Sequence, residues 1–182
     1  MKKKTKKIVF WFRKQDKNTS KICLNRCVER MQGSPWIHSE LYFVDDQTTV
    51  KVTSLAGMSI VKTNGSEYGA RKIWDGYVVD VDATTYKKFL LSCKKKKGMP
   101  FNMCGFLTFF LFPCLAREDE PALICSRHMA LESINYGILD PLTNGIFFTP
   151  AILRKEIRKM SNNNNARFTI KKILEWKICS ID

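Results

Sequence analysis

No run of apolar residues in this chain is long enough to cross a membrane as a helix. The longest, "MCGFLTFFLFPCLA" from Met103 to Ala116, falls short of the roughly 20 residues a spanning helix needs and carries Pro113 inside it. A buried helix is the first expectation for it, and an interfacial segment the second. Metal-ligand spacing is also missing. Cys23 and Cys27 stand four apart in "ICLNRCVER", but no second Cys/His pair accompanies them, so no zinc site, and no cofactor of any kind, is expected. No named nucleic-acid motif and no internal repeat occurs. Histidine is almost absent: His38 and His128 are the only two. Nothing reads as a secretory leader, because "MKKKTKK" is followed only by "IVFWF" and then by charge again. With seven irregularly spaced cysteines, that points to free thiols in a reducing compartment such as a cytoplasm. Acidic residues are scarce as well, 17 against 31 lysines and arginines, and the net charge of +14 favours anionic partners such as nucleic acid, phosphates or an acidic membrane surface.

What is present is enough for one domain over residues 1–182, with a basic segment at 1–7 and a polar linker at 161–166 ahead of a C-terminal tail. The 45% hydrophobic content excludes a disordered chain. Strands are expected at "KKIVFWF", "WIHSELYF", "TTVKVTSLAGMSIVK" (one or two strands, broken at Gly57) and "KIWDGYVVDVD". "TNGSEYG" reads as a loop. Helices are expected at "NTSKICLNRCVERMQ", at "DATTYKKFLLSCKKKKG" with Asp82 as its cap, and at "PFNMCGFLTFFLF". Two more follow, an amphipathic one from Cys125 and "TPAILRKEIRKM" with Thr149 as N-cap and Pro150 in its first turn. The tail "RFTIKKILEWKICS" fits a strand or a short helix. A strand-rich first half before a helical second half makes an α+β domain, an antiparallel sheet packed by helices.

Three residues stand out chemically. Cys125 lies where a helix begins, and a thiolate in a first helical turn is favoured by unpaired N–H groups and the positive end of the dipole. Its other reading is a buried core thiol. His38 and Glu40 alternate on one strand, so their side chains leave the same face about 6.6 Å apart at the backbone, within reach for a carboxylate to orient an imidazole. Their other reading is a solvated strand face. His128 shares a helix face with Cys125 and is expected to face solvent. The lysine clusters "MKKKTKK" and Lys94–Lys97, with Trp11, Trp36 and Trp74, offer a rival: phosphate contact and base stacking, or an anionic membrane surface.

"WIHSELYF", "MPFNMCGFLTFFLFP", "LICSRHMALESINYGIL" and "FTPAILRKEI", in that order, resemble the circularly permuted papain-like hydrolases. These are the NlpC-type group with YiiX/YaeF-like proteins and the lecithin:retinol acyltransferase relatives, of which small members occur in large DNA viruses. The resemblance spans roughly Trp36 to Ile157. It implies a permuted papain-like fold in which the histidine strand precedes the cysteine helix. It implies Cys125 as nucleophile, His38 as base and a polar third residue: Glu40, or, by the pattern of other members, Thr53 or Ser54 on the next strand. It further implies a cysteine protease, amidase or acyltransferase acting on a peptide, isopeptide or other amide, or on a lipid ester. Arg127 departs from the pattern, standing where many relatives carry an acid after "C-S".

Overall fold

The computed structural model describes residues 5–16, 26, 29, 30, 32–69, 73–102, 125–140, 148–162 and 168–173. Six strands form one antiparallel sheet. They are β1 (Thr5–Lys14), β2 (Trp36–Phe43), β3 (Thr48–Thr53), β4 (Gly57–Lys62), β5 (Trp74–Asp82) and β6 (Thr169–Ile173), in the spatial order β4-β3-β2-β1-β5-β6. Among the described residues the helices that accompany them include α1 (Ser66–Gly69), α2 (Ala83–Lys95), α3 (Cys125–Asn135) and α4 (Pro150–Ser161). The architecture is mixed α+β. No helix among the described residues is long and apolar enough to cross a membrane.

The helix starts follow the chemistry of their first residues. Asp82 accepts hydrogen bonds from the N–H groups of Thr84 (3.0 Å) and Thr85 (2.9 Å), satisfying two donors at the start of α2. Thr149 caps α4 by accepting from Ile152 N–H, with Pro150 in the first turn where no N–H is needed. The break in the third expected strand spans residues 54–56. Gly57 opens β4 with φ +62°, and the Met99 carbonyl lies where a side chain would begin. Thr169–Ile173 of the tail form a strand, β6, and "TNGSEYG" carries the one-turn helix α1. The helices expected at 18–32 and 100–112 and the linker 161–166 lie largely outside the described residues.

The sheet is buried on both faces, by different groups. On one, Ile8, Phe10, Phe12, Leu41, Phe43, Tyr77 and Val79 pack with Phe89 of α2, Met129 of α3, and Leu153 and Ile157 of α4 in the main core. On the other, Val9, Trp11 and Tyr42 gather around Tyr68 of α1. The two-residue period of a strand produces this split. Gly76 pairs with Trp11 across β5 and β1, and a Cβ at Gly76 would overlap the indole, so the glycine lets Trp11 lie flat on the sheet.

α3 departs from the expected amphipathic helix. Cys125 through Ala130, Glu132 and Ser133 are all buried, so polar side chains enter the interior with partners of their own. Ser126 donates to the Phe148 carbonyl (2.6 Å), Ser133 to the Met129 carbonyl (2.6 Å), and Lys96 to Glu132. Arg127 is buried too, at 4% exposure.

Candidate active site

β2 supplies two residues of the site and a gap for the third. Lys14 pairs with Trp36 but Arg13 pairs with His38, so Ile37 is an extra, bulged residue. From His38 onward the strand alternates regularly: Leu41 and Phe43 face the helices, while Glu40 and Tyr42 face Tyr68. On its other edge β2 pairs with β3 only over Leu41, Tyr42 and Phe43. His38, Ser39 and Glu40 therefore present a strand edge with no β3 partner, and there α3 packs against β2 with Cys125 as its first described residue.

His38 and Cys125, 87 positions apart in the chain, meet at that edge, close enough for each to shift the other's ionisation. Glu40 Oε1 lies 3.1 Å from His38 Nε2, which leaves Nδ1 for the sulfur. The expected pairing of His38 with Glu40 across one strand face is thus present. Cys125 is 7% exposed, and the His38 side chain keeps 13% of its surface open.

Glu40 is held from behind. Tyr68 donates its hydroxyl proton to Glu40 Oε2 at 2.6 Å, and Thr49 Oγ1 lies 3.1 Å from the same phenol oxygen. With the phenol proton committed to the carboxylate, Thr49 is the donor in the second contact. Tyr68 is fixed by a stack on Trp11 (centroids 4.7 Å apart, planes at 9°) and an edge contact with Trp74 at 5.0 Å. Lys51 Nζ sits 3.7 Å from Glu40 Oε2 but closer, at 3.1 Å, to Glu67.

The electrostatics follow from these contacts. Burial pulls the His38 pKa down, but the Cys125 sulfur, through its charge and hydrogen bond, and the Glu40 carboxylate together push it up to about 9. Burial pushes the Cys125 thiol up, yet the charge and hydrogen bond of His38, with the backbone N–H and hydroxyl of Ser39, bring it below the ordinary thiol range. Burial also raises Glu40, and the His38 hydrogen bond and charge, the Tyr68 hydroxyl and Lys51 outweigh it, keeping the carboxylate ionised. The resting state this favours is a thiolate beside an imidazolium, with a carboxylate on the imidazolium's far side.

The other sequence-derived residues lie elsewhere. Thr53 pairs with Gly57 in the β3–β4 hairpin and accepts from Ala56 N–H at 3.2 Å, and Ser54 is exposed in the turn, so neither reaches the imidazole. The hydroxyls near Glu40 belong to Tyr68 and Thr49. His128 does not face solvent. It is 3% exposed, with Nε2 4.0 Å from Cys93 Sγ on α2, because α3 is buried on both sides. Tyr68 was hidden in a stretch of turn residues; the signal available was a large aromatic in an otherwise polar loop, which has to bury itself somewhere. Both cysteines among the described residues, Cys93 and Cys125, are free, and no group of three or more His, Cys, Asp or Glu side chains among the described residues is arranged to hold a metal ion.

No family model and no curated protein matches the sequence. Among solved structures, the chain is similar to the crystal structure of the protein yiiX from Escherichia coli O157:H7, described as a metalloprotein of DUF1105. The TM-score is 0.48 and the identity 9%, with 96% of this chain and 98% of that one covered.

Proposed function

We propose that the protein is a thiol hydrolase or acyltransferase of the permuted papain-like kind, with Cys125 as nucleophile, His38 as acid and base, and Glu40 as the residue that orients the imidazole. One observation carries the reading: a buried sulfur and an imidazole 87 positions apart in the chain come close enough to shift each other's ionisation, while a carboxylate held by Tyr68 occupies one nitrogen of that imidazole.

In this reading the Cys125 thiolate attacks the carbonyl carbon of an amide or ester. The carbonyl π electrons move to oxygen, where the Cys125 N–H supplies one donor. As the tetrahedral adduct collapses, His38 gives its proton to the leaving nitrogen or oxygen, and a thioester remains on Cys125. Water, or an acceptor hydroxyl or amine, then attacks the thioester with His38 taking its proton, which releases product and restores the ion pair. Glu40 keeps its charge throughout and steadies the imidazolium. Peptide, isopeptide and lipid acyl groups all fit this chemistry.

The test is to trap the intermediate. Brief exposure of the full chain to p-nitrophenyl acetate is expected to add one acetyl group at Cys125, found by intact mass and peptide mapping and absent in Cys125→Ala and His38→Ala. Acetylation spread over lysines, with none at Cys125, contradicts the reading. A basic nucleic-acid- or membrane-binding protein on the same fold has the net charge of +14 in its favour. Salt-sensitive retention on heparin without any acyl-enzyme would favour that alternative.

A further inference from the structure

α2 turns Tyr86, Phe89, Leu90 and Cys93 inward and keeps an outer face of another composition. Lys87, Lys88, Leu91, Lys94 and Lys95 are all exposed. At the helical turn per residue they fall within about 120° of arc, with Leu91 near its middle. We propose that this face, with the cleft beside it, docks the protein on an anionic lipid bilayer, the lysines meeting headgroups and Leu91 entering beneath them. The proposal stands apart from the Cys125–His38 reading and uses neither residue.

Charge is the first ground. Lys51, Lys96 and Lys159 each reach a glutamate, whereas these four lysines have no carboxylate partner among the described residues. Lys87 and Lys94 lie two turns apart on α2 and line a cleft of about 330 Å³ together with Lys6 of β1. Lys6 is placed there by the ring of Tyr86, 4.7 Å away, and by Asp45 at 3.7 Å. Asp46 is the one acid in the lining, against three lysines, and Leu90 and Leu91 supply its apolar part. Such a cleft complements a ligand that is anionic at one end and apolar at the other.

The leucine is the second ground, and it chooses the occupant. Leu91 is 54% exposed. One exposed leucine on a surface is ordinary. A leucine in the middle of unpaired ammonium groups fits an interface that takes charge and apolar surface together, which an anionic bilayer does. Nucleic acid would use the lysines but has no use for Leu91. It also gains from stacking, and the aromatic rings of α2, Tyr86 and Phe89, are both sealed inside. The cleft lies at the Lys6 end of β1, and Arg13, which pairs with His38, lies at the other, about 23 Å along the strand. Substitutions on the docking face therefore leave the Cys125 site untouched.

The experiment is co-sedimentation of the full chain with two kinds of vesicle, phosphatidylcholine alone and an equal mixture of phosphatidylcholine and phosphatidylserine. Binding is expected to the mixture and not to phosphatidylcholine alone. Lys87→Gln with Lys94→Gln is expected to weaken it about twentyfold, and Leu91→Gln about fivefold. Glutamine keeps helix propensity, so the thermal melts should stay near wild type. Lys155→Gln with Arg158→Gln removes the same charge from exposed positions of α4 and is expected to change binding no more than about twofold. Equal weakening by the α4 pair overturns the proposal, because attraction then belongs to the net charge of +14 as a whole. Leu91→Gln binding equal to wild type overturns it too, as does equal sedimentation with both kinds of vesicle or with neither. Retention on a single-stranded oligonucleotide that needs Lys87 and Lys94 but not Leu91, without vesicle binding, overturns it in favour of nucleic acid.

Discussion

Cys125 with His38 and Cys93 with His128 are the same two residue types, both buried, and each has a glutamate and a lysine close by. Around the first pair stand Glu40 and Lys51; around the second, Glu132 and Lys96. The outcomes are opposite. At the first site the imidazole is pushed up to about 9 and the thiol falls below its usual range. At the second, burial and the neighbouring Lys96 charge pull His128 down to about 4 despite Glu132, and burial and Glu132 push the Cys93 thiol well above its usual range despite Lys96. The difference lies first in the pair itself, since Cys125 and His38 shift each other strongly and Cys93 and His128 do not, and then in which cation the glutamate serves. Glu40 faces the imidazole while Lys51 leans toward Glu67, whereas Glu132 is taken by Lys96. A close sulfur–imidazole pair with a carboxylate behind the imidazole favours the charged forms, whereas a looser, deeply buried contact whose carboxylate is spent on a lysine favours the neutral ones.

The largest effect is expected from deleting each sulfur in turn. Cys125→Ala should abolish acyl-enzyme formation, whereas Cys93→Ala should preserve it and cost about 1–2 kcal/mol of stability for a lost core atom, read by denaturant unfolding. Next is the carboxylate that defines the first site. Glu40→Gln is expected to lower the His38 pKa from about 9 toward the ordinary value and to slow turnover by roughly ten- to a hundredfold, checked by NMR titration of the ring and by acyl-transfer rate. Thr53→Ala and Ser54→Ala should leave that titration unchanged.

Acid stability sharpens the contrast from the other site. Because His128 is held neutral down to about 4 in the fold, the unfolded chain binds a proton there first as pH falls below about 6.5. Stability should therefore drop on acidification through that window, with His128 accounting for about 2 kcal/mol between about pH 7 and pH 5. His128→Gln should flatten that part of the slope in denaturant unfolding at the two pH values. A smaller change is expected from Lys96→Met: with the cation gone and Glu132 freed, the His128 pKa should rise toward its ordinary value, again by ring titration. Smallest is Tyr68→Phe, which keeps the aromatic stack and removes one donor to Glu40. It should cost a few-fold in rate with little change in the melt.

Much of the site was legible because its spacing is local. His38 and Glu40 share a strand face by parity alone, and "WIHSELYF" with the later Cys125 placed the strand before the helix. Caps at Asp82 and Thr149 fixed two helix starts for the same reason. What escaped is tertiary. Tyr68 reaches Glu40 across 28 positions from a segment whose composition says turn, and Thr49 rather than Thr53 joins it because of where β3 registers on β2. His128 was expected in solvent because sharing a helix face with Cys125 leaves little room for an acyl group between the two. Only the contacts with Cys93, 35 positions earlier, and the depth of α3 bury it.

The most direct measurement is the pH dependence of iodoacetamide labelling, resolved by peptide mapping over all seven cysteines. The account expects Cys125 to label rapidly at mildly acidic pH, where ordinary thiols are protonated, and Cys93 to remain unlabelled in the folded protein even at mildly alkaline pH. Labelling of Cys125 only as pH approaches about 8.5, or Cys93 reacting as fast as Cys125, would contradict it.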